Sequence, residues 1–296
     1  MIDIKDQATV FVEHPLYIKL DYLNHPHISG NKYRKLKYNL LEAKRLNTYT
    51  LLTFGGAFSN HIAAVAAAGK AFGFKTIGVI RGEELADKIP DNSTLAFAKQ
   101  QGMHFHFISR ETYRHKTSES FIEDLKLKFG DFYILPEGGT NALAVKGCKE
   151  ILTEADKSFD YICCAVGTGG TISGLINSSL PEQKILGFPA LKGDFLREEI
   201  SKFANTSNWE LITEYHFGGY AKINNELISF INSFKETYKV PLDPVYTGKM
   251  LFGIFDLMHR GYFPEGSKIL AIHTGGLQGI EGMNAKLINK KLPIIQ

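Results

Sequence analysis

Cysteine is scarce in this chain of 296 residues: three occur, Cys148, Cys163 and Cys164. With no ligand spacing around them, they exclude a disulfide-stapled secreted scaffold and a thiolate metal centre. Cys163 and Cys164 are adjacent in an apolar run, Tyr161-Ile-Cys-Cys-Ala-Val166, where thiols act as small hydrophobes in a buried strand. The expectation is a reducing, cytoplasmic home. Long apolar runs are also missing. No window reaches membrane-spanning length, and the opening Met-Ile-Asp-Ile-Lys-Asp holds no apolar signal core. Nor is there an excess of one charge: the formal net charge is +3 and the cations form no single block, which argues against a nucleic-acid partner. Repeats and low-complexity segments are absent. What remains, 44% hydrophobic and 22% charged, is an ordinary globular composition, long enough for two domains or one two-lobed α/β unit.

From Thr50 onward, short β-rich runs alternate with helical stretches. Strands are expected at Thr50–Phe54, Thr76–Ile80, His104–Ile108, Tyr161–Val166, Lys184–Phe188 and Lys268–His273. Helices are expected over Ser59–Phe72, Asn92–Gln101, Thr112–Phe129, Ala142–Lys157 and Met250–Met258. Such alternation implies parallel sheets covered on both faces, in two lobes. The expected division is a large domain of residues 1–40 plus 141–296 and a small α/β domain of residues 41–140. Small ligands bind between lobes and at the carboxyl ends of parallel strands.

The densest basic stretch is Gly30-Asn-Lys-Tyr-Arg-Lys-Leu36. Gly-Asn is turn chemistry, and Leu36, Leu40, Ala43 and Leu46 follow at helical spacing. Lys32 therefore sits at a helix start, where the positive end of the dipole disfavours an ammonium. A lysine held partly neutral can form a Schiff base with an aldehyde cofactor. The competing reading is a solvated cationic helix face.

Val166-Gly-Thr-Gly-Gly-Thr-Ile-Ser-Gly174 follows an expected strand and opens an expected helix. Its glycines let the backbone wrap an anion and present N–H groups and hydroxyls to it. It lacks the Gly-Lys-Ser/Thr ending of a P-loop and does not fit the dinucleotide fingerprint; the alternative is a tight turn with no ligand. Gly55-Gly-Ala-Phe-Ser59-Asn60-His61 is a second glycine turn, where Ser59 could equally be a helix cap. Asp243-Pro-Val-Tyr246-Thr247-Gly248-Lys249 and His273-Thr274-Gly275-Gly276 put hydroxyls where loops collect, and His273 reads as a satisfied core histidine.

In this order along nearly the whole chain, these segments resemble the fold type II pyridoxal-phosphate enzymes, in particular the branch of D-cysteine desulfhydrase and 1-aminocyclopropane-1-carboxylate (ACC) deaminase. The Asn-Lys-x-Arg-Lys-Leu and Asp-Pro-Val-Tyr phrases are specific to the branch; the Gly-Thr-Gly-Gly-Thr loop is shared more widely. The resemblance implies a two-lobed, three-layer αβα fold with mainly parallel sheets (tryptophan synthase β-like) and pyridoxal 5'-phosphate as cofactor. By the same resemblance, Lys32 binds the cofactor covalently, Asn60 bonds its phenolic oxygen, and Gly167, Thr168, Gly169, Gly170 and Thr171 form the phosphate cup. Ser59, Asn60 and His61 receive substrate, Tyr246 covers the ring, and Tyr220 in Phe217-Gly-Gly-Tyr220 is the second active-site tyrosine. A small amino-acid substrate and a homodimer follow by analogy.

Thr247 and Thr274 separate the two reactions. ACC deaminases of the branch carry glutamate and leucine there, and desulfhydrase-like members carry threonine at both. A carboxylate beside the pyridine nitrogen keeps it protonated and deepens the electron sink; a hydroxyl does not. Opening a cyclopropane demands more of that sink than expelling thiolate from a β-carbon. The expectation is β-elimination from D-cysteine or a β-substituted D-alanine, giving pyruvate, ammonia and sulfide, with Lys32, Ser59, Tyr246 and Tyr220 as catalytic candidates. The alternatives are ACC deamination to 2-oxobutyrate and ammonia, a dehydratase-like activity on L-amino acids, and a non-catalytic cofactor-binding protein. No metal is expected.

Overall fold

Two sheets organise the chain in a computed structural model that describes residues 4, 7–193 and 195–296. The smaller has four parallel strands: β3 (Thr50–Gly55), β4 (Lys75–Arg81), β5 (His104–Ile108) and β6 (Tyr133–Leu135), in the order β5-β4-β3-β6. The larger, with β1 (Thr9–Glu13), β2 (Leu16–Lys19), β7 (Tyr161–Val166), β8 (Lys184–Pro189), β9 (Trp209–Leu211) and β10 (Ile269–Ile272), has the order β1-β2-β10-β7-β8-β9. Among the described residues only β1 and β2 pair antiparallel. The helices are α1 (Asn31–Arg45), α2 (Asn60–Phe72), α3 (Ser93–Gln100), α4 (Arg110–Arg114), α5 (Glu119–Phe129), α6 (Ala142–Cys148), α7 (Gly170–Ile176), α8 (Phe195–Ser201), α9 (Asn225–Tyr238), α10 (Thr247–His259) and α11 (Gly279–Asn289).

The central strands of both sheets are buried on both faces, as continuous apolar strands require. In β3, Leu51 packs with Leu36, Leu40 and Val65 from α1 and α2, while its neighbour Leu52 faces the opposite cluster with Val79 and Leu125. Each fully buried leucine contributes roughly 1.5–3 kcal/mol of transfer free energy. Helix α2 is rich in alanine and lies tight on its sheet; a Cβ on Gly69 would fall 2.3 Å from Thr76 Cγ2. The strand period also separates the paired cysteines. Cys163 faces one core and Cys164 the other, and burial pushes both thiols up.

Two expected helices are broken, and local polar chemistry accounts for both. The 112–129 stretch is α4 and α5, because Ser118 starts a new helix by accepting from Phe121 N at 3.4 Å. The 142–157 stretch stops at Cys148 and continues as short 3-10 turns. There Asp156 accepts from Thr153 N at 2.8 Å and pairs with buried Lys19 at 2.5 Å, so it cannot remain on an extended α6. Among the described residues no helix is long and apolar enough to cross a membrane, and no His/Cys/Asp/Glu group could hold a metal ion.

Candidate active site

Helix α1 begins where the Gly-Asn turn predicts. Gly30 is its N-cap at φ 63, and a Cβ there would lie 2.0 Å from the Thr274 carbonyl oxygen. That same oxygen accepts from Asn31 N at 3.2 Å, which ties the start of α1 to the loop after β10. One residue further, Lys32 faces a cleft of roughly 670 Å³, mouth included, at the carboxyl ends of strands from both sheets. Burial, then the neighbouring Lys35, lowers the Lys32 pKa to about 7, so its amine is substantially neutral at physiological pH.

The other cations of this stretch are partnered and mostly buried, so it is not a solvated face. Arg34 holds the Asp21 carboxylate at 2.6 Å and donates to the Glu150 carbonyl at 2.6 Å. Lys37 pairs with the Glu150 carboxylate at 2.6 Å. Lys35 is different. Its ammonium, 2% exposed as a residue, donates to the Gly138 carbonyl at 3.0 Å, Thr140 Oγ1 at 3.1 Å and Thr168 Oγ1 at 3.4 Å. It makes no ion pair among the described residues, and burial lowers its pKa. A buried ammonium met only by neutral oxygens is poised for an anion. Sequence reasoning counted Lys35 as part of a basic patch; the missed signal was its i,i+3 relation to Lys32 on one helix face.

Opposite Lys32 lies the loop 167–171 between β7 and α7. Gly167, Thr168, Gly169 and Thr171 line the cleft, and Gly170 opens α7 behind them. Gly169 has φ 84, and a Cβ on Gly170 would meet Thr140 Oγ1 at 2.7 Å, so the turn demands glycine at both positions. Thr171 Oγ1 accepts from Asn31 Nδ2 at 2.8 Å, fixing the loop to the start of α1. Tyr246, the N-cap of α10, lies over Gly167: a Cβ there would come within 3.2 Å of its ring. Tyr220 meets Tyr246 edge-on with centroids 6.2 Å apart. Burial raises both phenol pKa values, and Tyr246, in contact with Tyr220 and near Asp243, goes well above the ordinary range. Both are protonated donors at neutral pH.

Asn60 and Thr274 also line the cleft, with Asn60 Nδ2 beside Gly276. Four named residues stand behind or beside the lining. Ser59 caps α2, its Oγ accepting from Ile62 N at 3.3 Å. His61 is 1% exposed, against Gly139, and neither ring nitrogen has a partner. Burial, then Lys32 and Lys35, lowers its pKa well below the usual value, so the ring is neutral. Thr247 is buried, its hydroxyl donating to Asp243 Oδ1 at 2.7 Å. Tyr220 is 44% exposed and reaches the site through Tyr246. His273 is a satisfied core residue: Nε2 donates to the Pro241 carbonyl at 2.7 Å and Nδ1 accepts from Gly275 N at 3.3 Å.

These residues suit pyridoxal phosphate: an amine that is neutral near pH 7, an uncompensated buried cation beside a loop of glycine amides, and a glycine floor under an aromatic ring. With the αβα architecture, they define a fold type II pyridoxal-phosphate enzyme. Comparison with known proteins agrees. The family model for pyridoxal-phosphate dependent enzymes matches residues 8–275, and the chain belongs to that family. A Pyrococcus horikoshii protein with a provisional ACC deaminase name is 33% identical over 93% of this chain and 88% of its own. The mitochondrial bifunctional D-cysteine desulfhydrase/ACC deaminase of Arabidopsis thaliana is 32% identical over 90% of this chain and 73% of its own. A crystal structure of an ACC deaminase homologue superimposes with TM-score 0.81 at 32% identity, covering 93% of this chain and 88% of that one.

Proposed function

We propose that this enzyme is a lyase of small amino acids that eliminates a β-substituent, with D-cysteine as its best substrate. In balance, D-cysteine and water give pyruvate, ammonia and hydrogen sulfide. The division into domains 1–40 plus 141–296 and 41–140 is part of the same reading, each domain being built around one sheet.

Pyridoxal phosphate, when bound, supplies the electron sink for the carbon that loses its proton. Lys32 would hold it covalently, and Lys35 with the amides of 167–171 would hold its phosphate. The first-turn amides of α2, with Ser59, Asn60 and His61, would fix the substrate carboxylate. Lys32 would also be the base for the α-proton, since its lowered pKa keeps it largely unprotonated near neutrality. Tyr246, protonated and backed by Tyr220, would cover the reacting carbon and offer a proton to the leaving sulfur.

The observation that carries the choice of reaction is at position 247. Asp243 stands directly behind Thr247, but its carboxylate already accepts from Thr247 N, Thr247 Oγ1, Val245 N and Tyr246 N. Its oxygens are occupied at the start of α10, the Thr247 proton included, which leaves the Thr274 side chain, and no carboxylate, lining the cleft on that side. A shallow sink suits β-elimination. ACC deamination to 2-oxobutyrate is the second reading, favoured by a relative named for both activities. Incubation with each substrate, assaying sulfide and the two keto acids, separates them. D-Cysteine turnover well above ACC turnover is expected; ACC turnover equal or greater would overturn the assignment.

A further inference from the structure

Segment 215–222, which carries Tyr220, is a strained loop. Phe217, Gly218, Gly219 and Ala221 all have positive φ, at 53, 90, 118 and 53. A non-glycine residue in that region costs on the order of 1 kcal/mol or more, so such a loop persists only where its surroundings hold it.

What holds it is one face of α10. Tyr215 packs on Gly253, where a Cβ would lie 2.7 Å from its ring, and donates to Asp256 at 2.6 Å. Phe217 meets Phe252 edge-on at 5.0 Å. Between these contacts and Tyr246 comes Lys249, 2% exposed, with its ammonium donating to the His216 carbonyl at 2.9 Å and the Gly219 carbonyl at 2.8 Å. It has no ion pair among the described residues. A buried ammonium is costly, and an apolar side chain would fill this space with less penalty. Its two bonds grip carbonyls on either side of the strained glycine pair, immediately before Tyr220. The helix that starts with Tyr246 thus fixes the other tyrosine one turn later.

We propose that Lys249 is a positioning residue: by clamping the His216 and Gly219 carbonyls it sets Tyr220 against Tyr246, and so controls substrate turnover without contributing to cofactor loading. The role of Tyr220 in turnover rests on the function proposed above; the clamp itself does not.

The test compares Lys249→Met and Gly219→Ala with the parent. Gly219→Ala strains the same loop through its φ of 118, meets only Lys192 at 3.9 Å, and leaves the buried lysine in place. Hydrogen exchange of amides 217–222 in the cofactor-free proteins should accelerate by about tenfold or more in both variants. With pyridoxal phosphate added, both should keep the visible band of lysine-bound cofactor, and kcat for D-cysteine should fall about tenfold or more with KM changed less. Methylammonium should restore part of the activity of Lys249→Ala. Unchanged exchange at 217–222 with kcat within about twofold of the parent would overturn the clamp. If Lys249→Met does not fold, Lys249→Ala with and without methylammonium decides by the same two readouts. A parent with neither cofactor band nor turnover would defeat the function proposed above, while exchange would still decide the clamp.

Discussion

Lys32 shows how a charged side chain becomes reactive through its place in the fold. In the cofactor-free protein its pKa is about 7 against an ordinary 10.5, with burial the main cause. Between those values the unfolded chain binds more protons at this position than the folded one. Stability therefore rises with pH across the window from about 7 to 10.5, and below about 7 the full penalty of a buried ammonium is present. Lys32→Met removes that penalty. The cofactor-free variant should be more stable than the parent at pH 7, by on the order of 1 kcal/mol after discounting for the open cleft, and the gap should shrink toward pH 10. Denaturant melts at pH 7, 8.5 and 10 measure it; a gap that ignores pH would contradict the lowered pKa. The same variant should fail to retain cofactor after borohydride reduction, which in the parent should fix it at position 32. The motif made this lysine legible. Lys249 was not, because nothing in the spacing says whether a lysine's partner is water or a carbonyl 30 positions away in the chain.

Among the elements, α10 bears most on the site, and a single carboxylate starts it. Asp243 accepts from the amides of Val245, Tyr246 and Thr247, at 2.9, 2.9 and 2.8 Å, and from the Thr247 hydroxyl. Charge-assisted bonds to orphan helix donors are worth more than neutral ones. Asp243→Ala should cost about 2–4 kcal/mol and displace Tyr246, while Thr247→Val, losing one buried bond, should cost about 1–3 kcal/mol. Thermal unfolding with Tyr246-dependent near-UV dichroism checks both. If Asp243→Ala melted like the parent, the cap would not be what seats Tyr246. Element type was legible in α2 and in the strands that alternate with helices, such as β3, β4, β7 and β8. It failed at 112–129 and 142–157, where Ser118 and Asp156 found side-chain bonds that compete with helix continuation. The opening strands β1 and β2 went unread because they form an antiparallel pair outside the strand–helix alternation that revealed the others.

At the scale of the molecule, the cleft is assembled from parts that no local pattern joins. Lys32 leads α1 toward the four-stranded sheet, Asn60 starts the helix that follows β3, and the glycine loop and Tyr246 belong to elements of the six-stranded side. Alternating strands and helices announced two parallel sheets; which strand ends face one another depends on crossovers such as β10 lying between β2 and β7. A ligand seated among all four parts must bind the folded chain and not the unfolded one, so it stabilises by mass action. Pyridoxal phosphate at about 100 times its dissociation constant should add about 2.7 kcal/mol, a rise of several degrees in the melting temperature. Lys32→Ala should keep part of that rise, because Lys35 and the loop amides still meet the phosphate, whereas Gly169→Ala should lose most of it by straining a residue at φ 84. Calorimetric scans of the three proteins with and without pyridoxal phosphate give the ordering. If Gly169→Ala kept the full rise while Lys32→Ala kept none, the covalent bond alone would hold the cofactor and the loop would be only a turn.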